Sequence, residues 1–157
     1  AHYYTNFTYW TQHCWGVTCV NDMEAMLSYL PISTDNKDQA LADLVRCYER
    51  MMMRSHTNGG YVNLLDECWK MCEKFHTNIV IMYDHVSCKN VGGLHGLFED
   101  QARERGIHLI WIPHDVMDPR TVSRREMREA FSQYMVTVLR EEPLDPTLLD
   151  YEDNLSW

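Results

Sequence analysis

The chain has 157 residues, 45% hydrophobic and 24% charged, enough for one domain with a real core. Its net charge of −9 leaves no basic stripe to bind nucleic acid, and no apolar run reaches the roughly 20 residues of a membrane span. The start, Ala1-His2-Tyr3-Tyr4, reads as neither a signal nor a transit peptide. With no initiator Met, the expectation is a fragment, a processed chain or a piece of a longer subunit.

Taken in chain order, Tyr3 to His13 is aromatic-rich and reads as a short helix, with Gly16 placed to cap it. Val17-Thr18-Cys19-Val20 is β-branched and reads as a strand. Asp22 to Leu30 reads as a helical turn or lid stopped by Pro31. Ser33 to Asn36 supplies N-caps. Asp38 to Arg54 carries Leu41, Leu44, Val45, Tyr48, Met51 and Met52 at helical spacing, which predicts a helix with that stripe inward. Tyr61 to Phe75 repeats the pattern with Leu64, Leu65, Cys68, Met71, Cys72 and Phe75.

The period then changes. Asn78 to Tyr83 is continuously apolar, as in a strand buried on both faces. A polar loop, Asp84 to Asn90, leads to a helix over Val91 to Arg105 that Gly106 ends. Ile107 to Ile112 is a second buried strand, and His114 to Thr121 a second polar loop. Ser123-Arg124-Arg125-Glu126 is a capping box opening a helix with Met127, Ala130, Phe131, Tyr134 and Val138. This order predicts an α/β three-layer sandwich with a small parallel sheet, Rossmann-like or flavodoxin-like. About three strands are legible, and a further one is expected upstream of Ala1. The expected organisation is a domain over residues 1–142 and an acidic, docked or partly ordered extension over 143–157.

Ligands of open α/β sheets bind beyond the carboxyl ends of the strands. The two polar loops leave such ends. Cys88 stands apart from the other five cysteines because it lies outside any apolar stripe, just before a helix start, with Lys89 beside it. That setting favours a thiolate and so a soft metal or an iron–sulfur cluster. The ordinary reading of a loop cysteine, with no ligand, stands beside it. Cys68 and Cys72 fall on an apolar stripe, Cys47 flanks one and Cys19 sits in the expected strand, so all four read as core. Cys14-x4-Cys19 fits no standard cluster spacing. The distribution is not that of a disulfide-stapled domain, and a reducing, cytoplasmic home is expected. His85 and His114 both leave strand ends and can reach one site. His95 reads as a surface position, His108 as locally bonded, and Asp115 and Asp118 as loop-backbone acceptors. No triad, P-loop or G-x-G-x-x-G is present.

Three pieces in order carry a resemblance. Cys72-Glu73-Lys74-Phe75-His76-Thr77 leads through the strand Asn78 to Tyr83 into Asp84-His85-Val86-Ser87-Cys88-Lys89. Gly106-Ile107-His108-Leu109-Ile110-Trp111-Ile112-Pro113-His114-Asp115 is a strand ending at an acidic residue. Asp118-Pro119-Arg120-Thr121-Val122-Ser123 precedes a helix with Arg128 and Phe131. Together they resemble the C-terminal part of subunits of the 2-hydroxyacyl-CoA dehydratase and benzoyl-CoA reductase family. Cys14 to Val20 is similar to an earlier segment of the same family.

The resemblance implies an iron–sulfur subunit of an (R)-2-hydroxyacyl-CoA dehydratase, a lyase active only in a complex, typically anaerobic. It implies a 4Fe-4S cluster with three cysteine ligands per subunit, of which Cys88 matches the last and the others belong to the N-terminal part. It implies a homologous second subunit, an ATP-dependent activator protein and an acyl-CoA substrate dehydrated through a ketyl radical. His85, Ser87, Lys89, His114 and Asp115 become candidates for tuning the cluster from around Cys88. Alternatives are a benzoyl-CoA reductase-like or double-cubane reductase subunit, a non-catalytic electron-transfer or scaffold subunit, and a flavodoxin-like binding domain without metal.

Overall fold

The computed structural model describes residues 6–23, 30–51, 54, 56, 59–118 and 120–150. The expected lid between Asp22 and Leu30 lies largely outside the described residues, as does the end of the extension, while the helix expected to reach Arg54 ends at Glu49 with Arg50 as its cap. The chain divides into two compact units, Ala1–Val20 with Asn78–Trp157, and Asn21–Thr77.

In the first unit, α1 (Phe7–Trp15), β1 (Ile79–His85), a one-turn helix α4 (Lys89–Gly92), α5 (His95–Arg105), β2 (His108–His114) and α6 (Arg124–Tyr134) follow in order. The strands pair in parallel, in register from Ile79 opposite His108 to His85 opposite His114. Strand residues alternate between faces. One face places Ile79, Ile81 and Tyr83 beside Ile110 and Ile112, packed with α1 and α6 around Phe7, Trp10, Trp15, Met127 and Phe131. Phe131 is the hub: its ring lies 5.9 Å from Phe7, 5.8 Å from Trp10 and 6.5 Å from Trp15, all near edge-on. The other face meets α5, where Phe98 sits edge-on to Trp111 at 6.2 Å. Helix, sheet, helix is the predicted three-layer α/β arrangement with a small parallel sheet.

Helix ends follow their caps. Ser123 accepts from the Glu126 N–H while Glu126 returns a bond to the Ser123 N–H, the predicted capping box. Gly16 ends α1 at φ +71°, a conformation that favours glycine, and a Cβ there would lie 2.8 Å from the movable Leu144 Cδ1. The extension docks through that contact. The Leu144 N–H donates to the Cys14 carbonyl at 2.7 Å, and Trp10 Nε1 donates to the Leu148 carbonyl at 2.8 Å. Beyond α6, residues Met135–Leu139 widen into a π-helix that ends at Arg140 in the left-handed region, φ +60°.

In this unit three expectations change. Val17–Val20 is not a strand of the described sheet: the Val17 N–H turns back to the Thr11 carbonyl at 3.1 Å, and Thr18, Cys19 and Val20 are not buried. Cys19 is therefore exposed rather than core. The helix expected over Val91–Arg105 is broken by Gly92-Gly93, so the long helix begins only at His95.

In the second unit, α2 (Lys37–Glu49) is capped by Asn36, whose Oδ1 accepts from the Asp38 N–H at 2.8 Å. Its predicted inward stripe is exposed at Leu41, Leu44, Val45 and Tyr48. The polar Asp43 is the buried position instead, accepting from the Ser33 N–H and Gln39 Nε2 and pairing with Arg46. Cys47, expected as core, is half-buried. α3 (Tyr61–Phe75) buries Leu64, Leu65, Cys68, Trp69 and Cys72, close to the predicted face.

Candidate functional site

Parallel pairing puts the carboxyl ends of β1 and β2 side by side, and His85 opposite His114 is the last register pair. Their rings meet edge-on at 5.9 Å. The spacing of strand ends predicted this meeting, and the register produces it. The two exits are also tied through the backbone, the Val86 N–H donating to the His114 carbonyl at 3.1 Å.

On the first exit the chain folds tightly. The Cys88 N–H donates to the His85 carbonyl at 2.8 Å, and the Lys89 N–H to the Ser87 carbonyl at 3.2 Å. The Ser87 N–H donates to His85 Nδ1 at 3.0 Å. A ring nitrogen that accepts carries no proton, so the neutral imidazole holds its proton on Nε2. That Nε2 faces Asp115 Oδ1 at 3.8 Å. Cys88 is half-buried, while Ser87 and Lys89 are exposed. The helix dipole expected behind Cys88 is small, because α4 is a single turn.

On the second exit His114 and Asp115 are buried. Asp115 Oδ1 accepts from the Met117 N–H at 2.9 Å and the Asp118 N–H at 3.2 Å. These bonds, the first above all, hold its carboxyl below the usual range against the opposing effect of burial, with help from Thr121 and His85. Asp118 grips Arg120 through both carboxylate oxygens and is held at about 2 by that contact. Both aspartates thus take the loop-organising role expected of them.

The structure joins His85, His114 and Asp115 and places the Cys88 backbone against His85. It gives Ser87 its place through its N–H, and leaves Lys89 exposed. A further group went unforeseen. The His95 ring lies face to face with Trp111, centroids 3.6 Å apart at 17°, with its Nε2 3.3 Å from Asp84 Oδ1. His108, expected to bond locally, instead sits 3.5 Å from the Tyr134 hydroxyl on α6.

As donors, the residues at the two strand exits offer one thiol, Cys88. Among the described residues no group of three or more His, Cys, Asp or Glu side chains is placed to hold a metal ion. Cys14 is buried, and burial, then the neighbouring Asp145, push its thiol up to about 11. In the second unit a cavity of about 450 Å³ is lined by Leu30, Pro31, Ile32, Ser33, Asp43, Arg46 and Arg50. Among the described residues no helix is long and apolar enough to cross a membrane.

Parallel strands with polar, histidine- and aspartate-bearing loops at their carboxyl ends define an α/β domain built to present groups at one edge of its sheet. Residues 1–135 match the family described as 2-hydroxyglutaryl-CoA dehydratase, D-component, and the chain belongs to this 2-hydroxyacyl-CoA dehydratase family. No curated protein and no solved structure matches it. The family is that of a dehydratase component, a lyase type assembled with other components.

Proposed function

We propose that this chain is part of an iron–sulfur subunit of an (R)-2-hydroxyacyl-CoA dehydratase, with Cys88 as one ligand of a 4Fe-4S cluster. The observation that supports it best is the place of Cys88. It lies within the family-matched region, on the loop leaving β1, beside the His85–Asp115–His114 group. A thiol there is chemically suited to ligation, and a single thiol fits one corner of a cluster and no more. The remaining ligands would come from outside this chain's described residues. When bound, the cluster would supply one-electron chemistry at the thioester.

The chain's own residues have distinct tasks in this reading. The tight turn Ser87–Lys89 fixes where the thiol emerges. The Ser87 N–H sets the His85 tautomer, so its exchangeable proton sits at Nε2 against the Asp115 carboxylate. In this reading the His85 Nε2–H is a hydrogen-bond donor at the sheet end and not the source of the departing hydroxyl's proton, since a neutral imidazole that gave up its one N–H would be left as imidazolate. Lys89, exposed, adds positive charge beside the thiol. A homologous subunit, an activator protein and an acyl-CoA substrate belong to the same proposal, as does a reducing, cytoplasmic setting.

The test is the intact complex, purified without oxygen, compared with its Cys88→Ala variant by iron, acid-labile sulfide and EPR. Loss or conversion of the cluster signal is expected in the variant. An unchanged cluster overturns the ligand assignment. Assay with (R)-2-hydroxyacyl-CoA esters and activator tests the reaction, and no turnover of any such ester by a loaded complex overturns the dehydratase reading.

A further inference from the structure

The loop that carries Cys88 hangs between two side chains that face each other across the sheet end. Asp84 is the next-to-last residue of β1, and His95 is the first of α5. Trp111, opposite Met82 in the register, shares their face of the sheet. The imidazole lies flat on the indole at 3.6 Å while its Nε2 edge approaches Asp84 Oδ1 at 3.3 Å. The latter contact is a close approach that does not have hydrogen-bond geometry. Trp111 is itself braced edge-on by Phe98 one helical turn along α5. One ring therefore touches both strands and fixes the start of α5 against their ends. The two ends of the Cys88 loop, at Asp84 and at His95, are pinned together.

The loop needs such a pin. Its own turn α4 is short, and Gly92-Gly93 interrupt the path to α5. Its anchoring core is a single buried leucine, Leu94. We propose that Asp84, His95 and Trp111 form a positioning clamp that sets the location of the Cys88 thiol without touching it. The functional consequence rests on the ligand reading above, whereas the clamp itself is a property of the chain alone.

The test measures alkylation of each cysteine by iodoacetamide in the metal-free full chain, mapped by peptide mass spectrometry, with the exposed Cys19 as internal reference. In His95→Ala the Cys88 rate should change by about three- to tenfold, as expected when a local opening is released, while the Cys19 rate holds. His95→Phe keeps the ring stack and should restore most of the wild-type rate. Asp84→Asn should give a smaller change that vanishes in the His95→Ala background, since both act through one contact. An unchanged Cys88 rate in His95→Ala, or a change that Cys19 shares in proportion, overturns the clamp. Should His95→Ala fail to fold, Asp84→Asn decides: no change at Cys88 overturns it. Cluster content of the Cys88→Ala complex reports on the ligand reading separately, so each can fail alone.

Discussion

Asp115 and Asp118 show how a loop becomes a rigid platform. Each carboxylate turns onto its own downstream backbone, and Asp118 adds the Arg120 fork. Both carboxyls are held below their usual range, as is Glu126 by its bonds to Ser123. The sign follows directly: a carboxyl whose folded value is depressed contributes stability above its unfolded value near 4, and that contribution is lost as pH falls through the folded value. For Asp118 the window runs down to about 2. Thermal melts should therefore decline from about pH 4.5 toward pH 2, and Asp118→Asn should flatten the decline. Equal slopes in variant and wild type would contradict this. Sequence spacing foretold these acceptor roles because an aspartate's short reach ends on nearby N–H groups. It could not foretell His95 on Trp111, since that stack joins a helix start to a later strand through tertiary packing alone.

At the scale of elements, local chemistry was legible where one residue decides. Ser123 with Glu126, Gly16 and Gly106 each mark a helix end that the structure keeps. Ser123→Ala should cost about 1 kcal/mol, read from denaturant unfolding at constant m-value. Phe131→Ala should cost about 3–5 kcal/mol, because the ring is fully buried among three other aromatics and the void cannot close around them. A loss below about 1 kcal/mol would mean the hub repacks. Propensity misled where pairing decides. Val17–Val20 has β-branched residues but no neighbour strand among the described residues, and β propensity is a fit to a pleated, half-buried surface rather than a backbone preference. Gly92-Gly93 broke a helix whose apolar period continued across them.

Across the whole molecule, the largest departure from the sequence pattern is α2. Its stripe of Leu41, Leu44, Val45 and Tyr48 reads as a core face, yet these residues stand 49–66% exposed. Periodicity reports that a helix has an apolar side, and says nothing of whether the covering surface lies in the same chain. A contiguous apolar face of this kind on a dehydratase component is a liability for the chain alone. The isolated chain should bind the apolar dye ANS and associate with rising concentration. Leu44→Glu with Tyr48→Lys should lower the dye signal by about half or more and remove the concentration dependence in sedimentation. Substitution at exposed positions typically shifts stability by no more than about 0.5 kcal/mol, so the melting temperature should stay near that of the wild type. Unaltered dye binding in the double variant would place the sticky surface elsewhere. A large fall in melting temperature would mean that the stripe is core after all, as its period suggests.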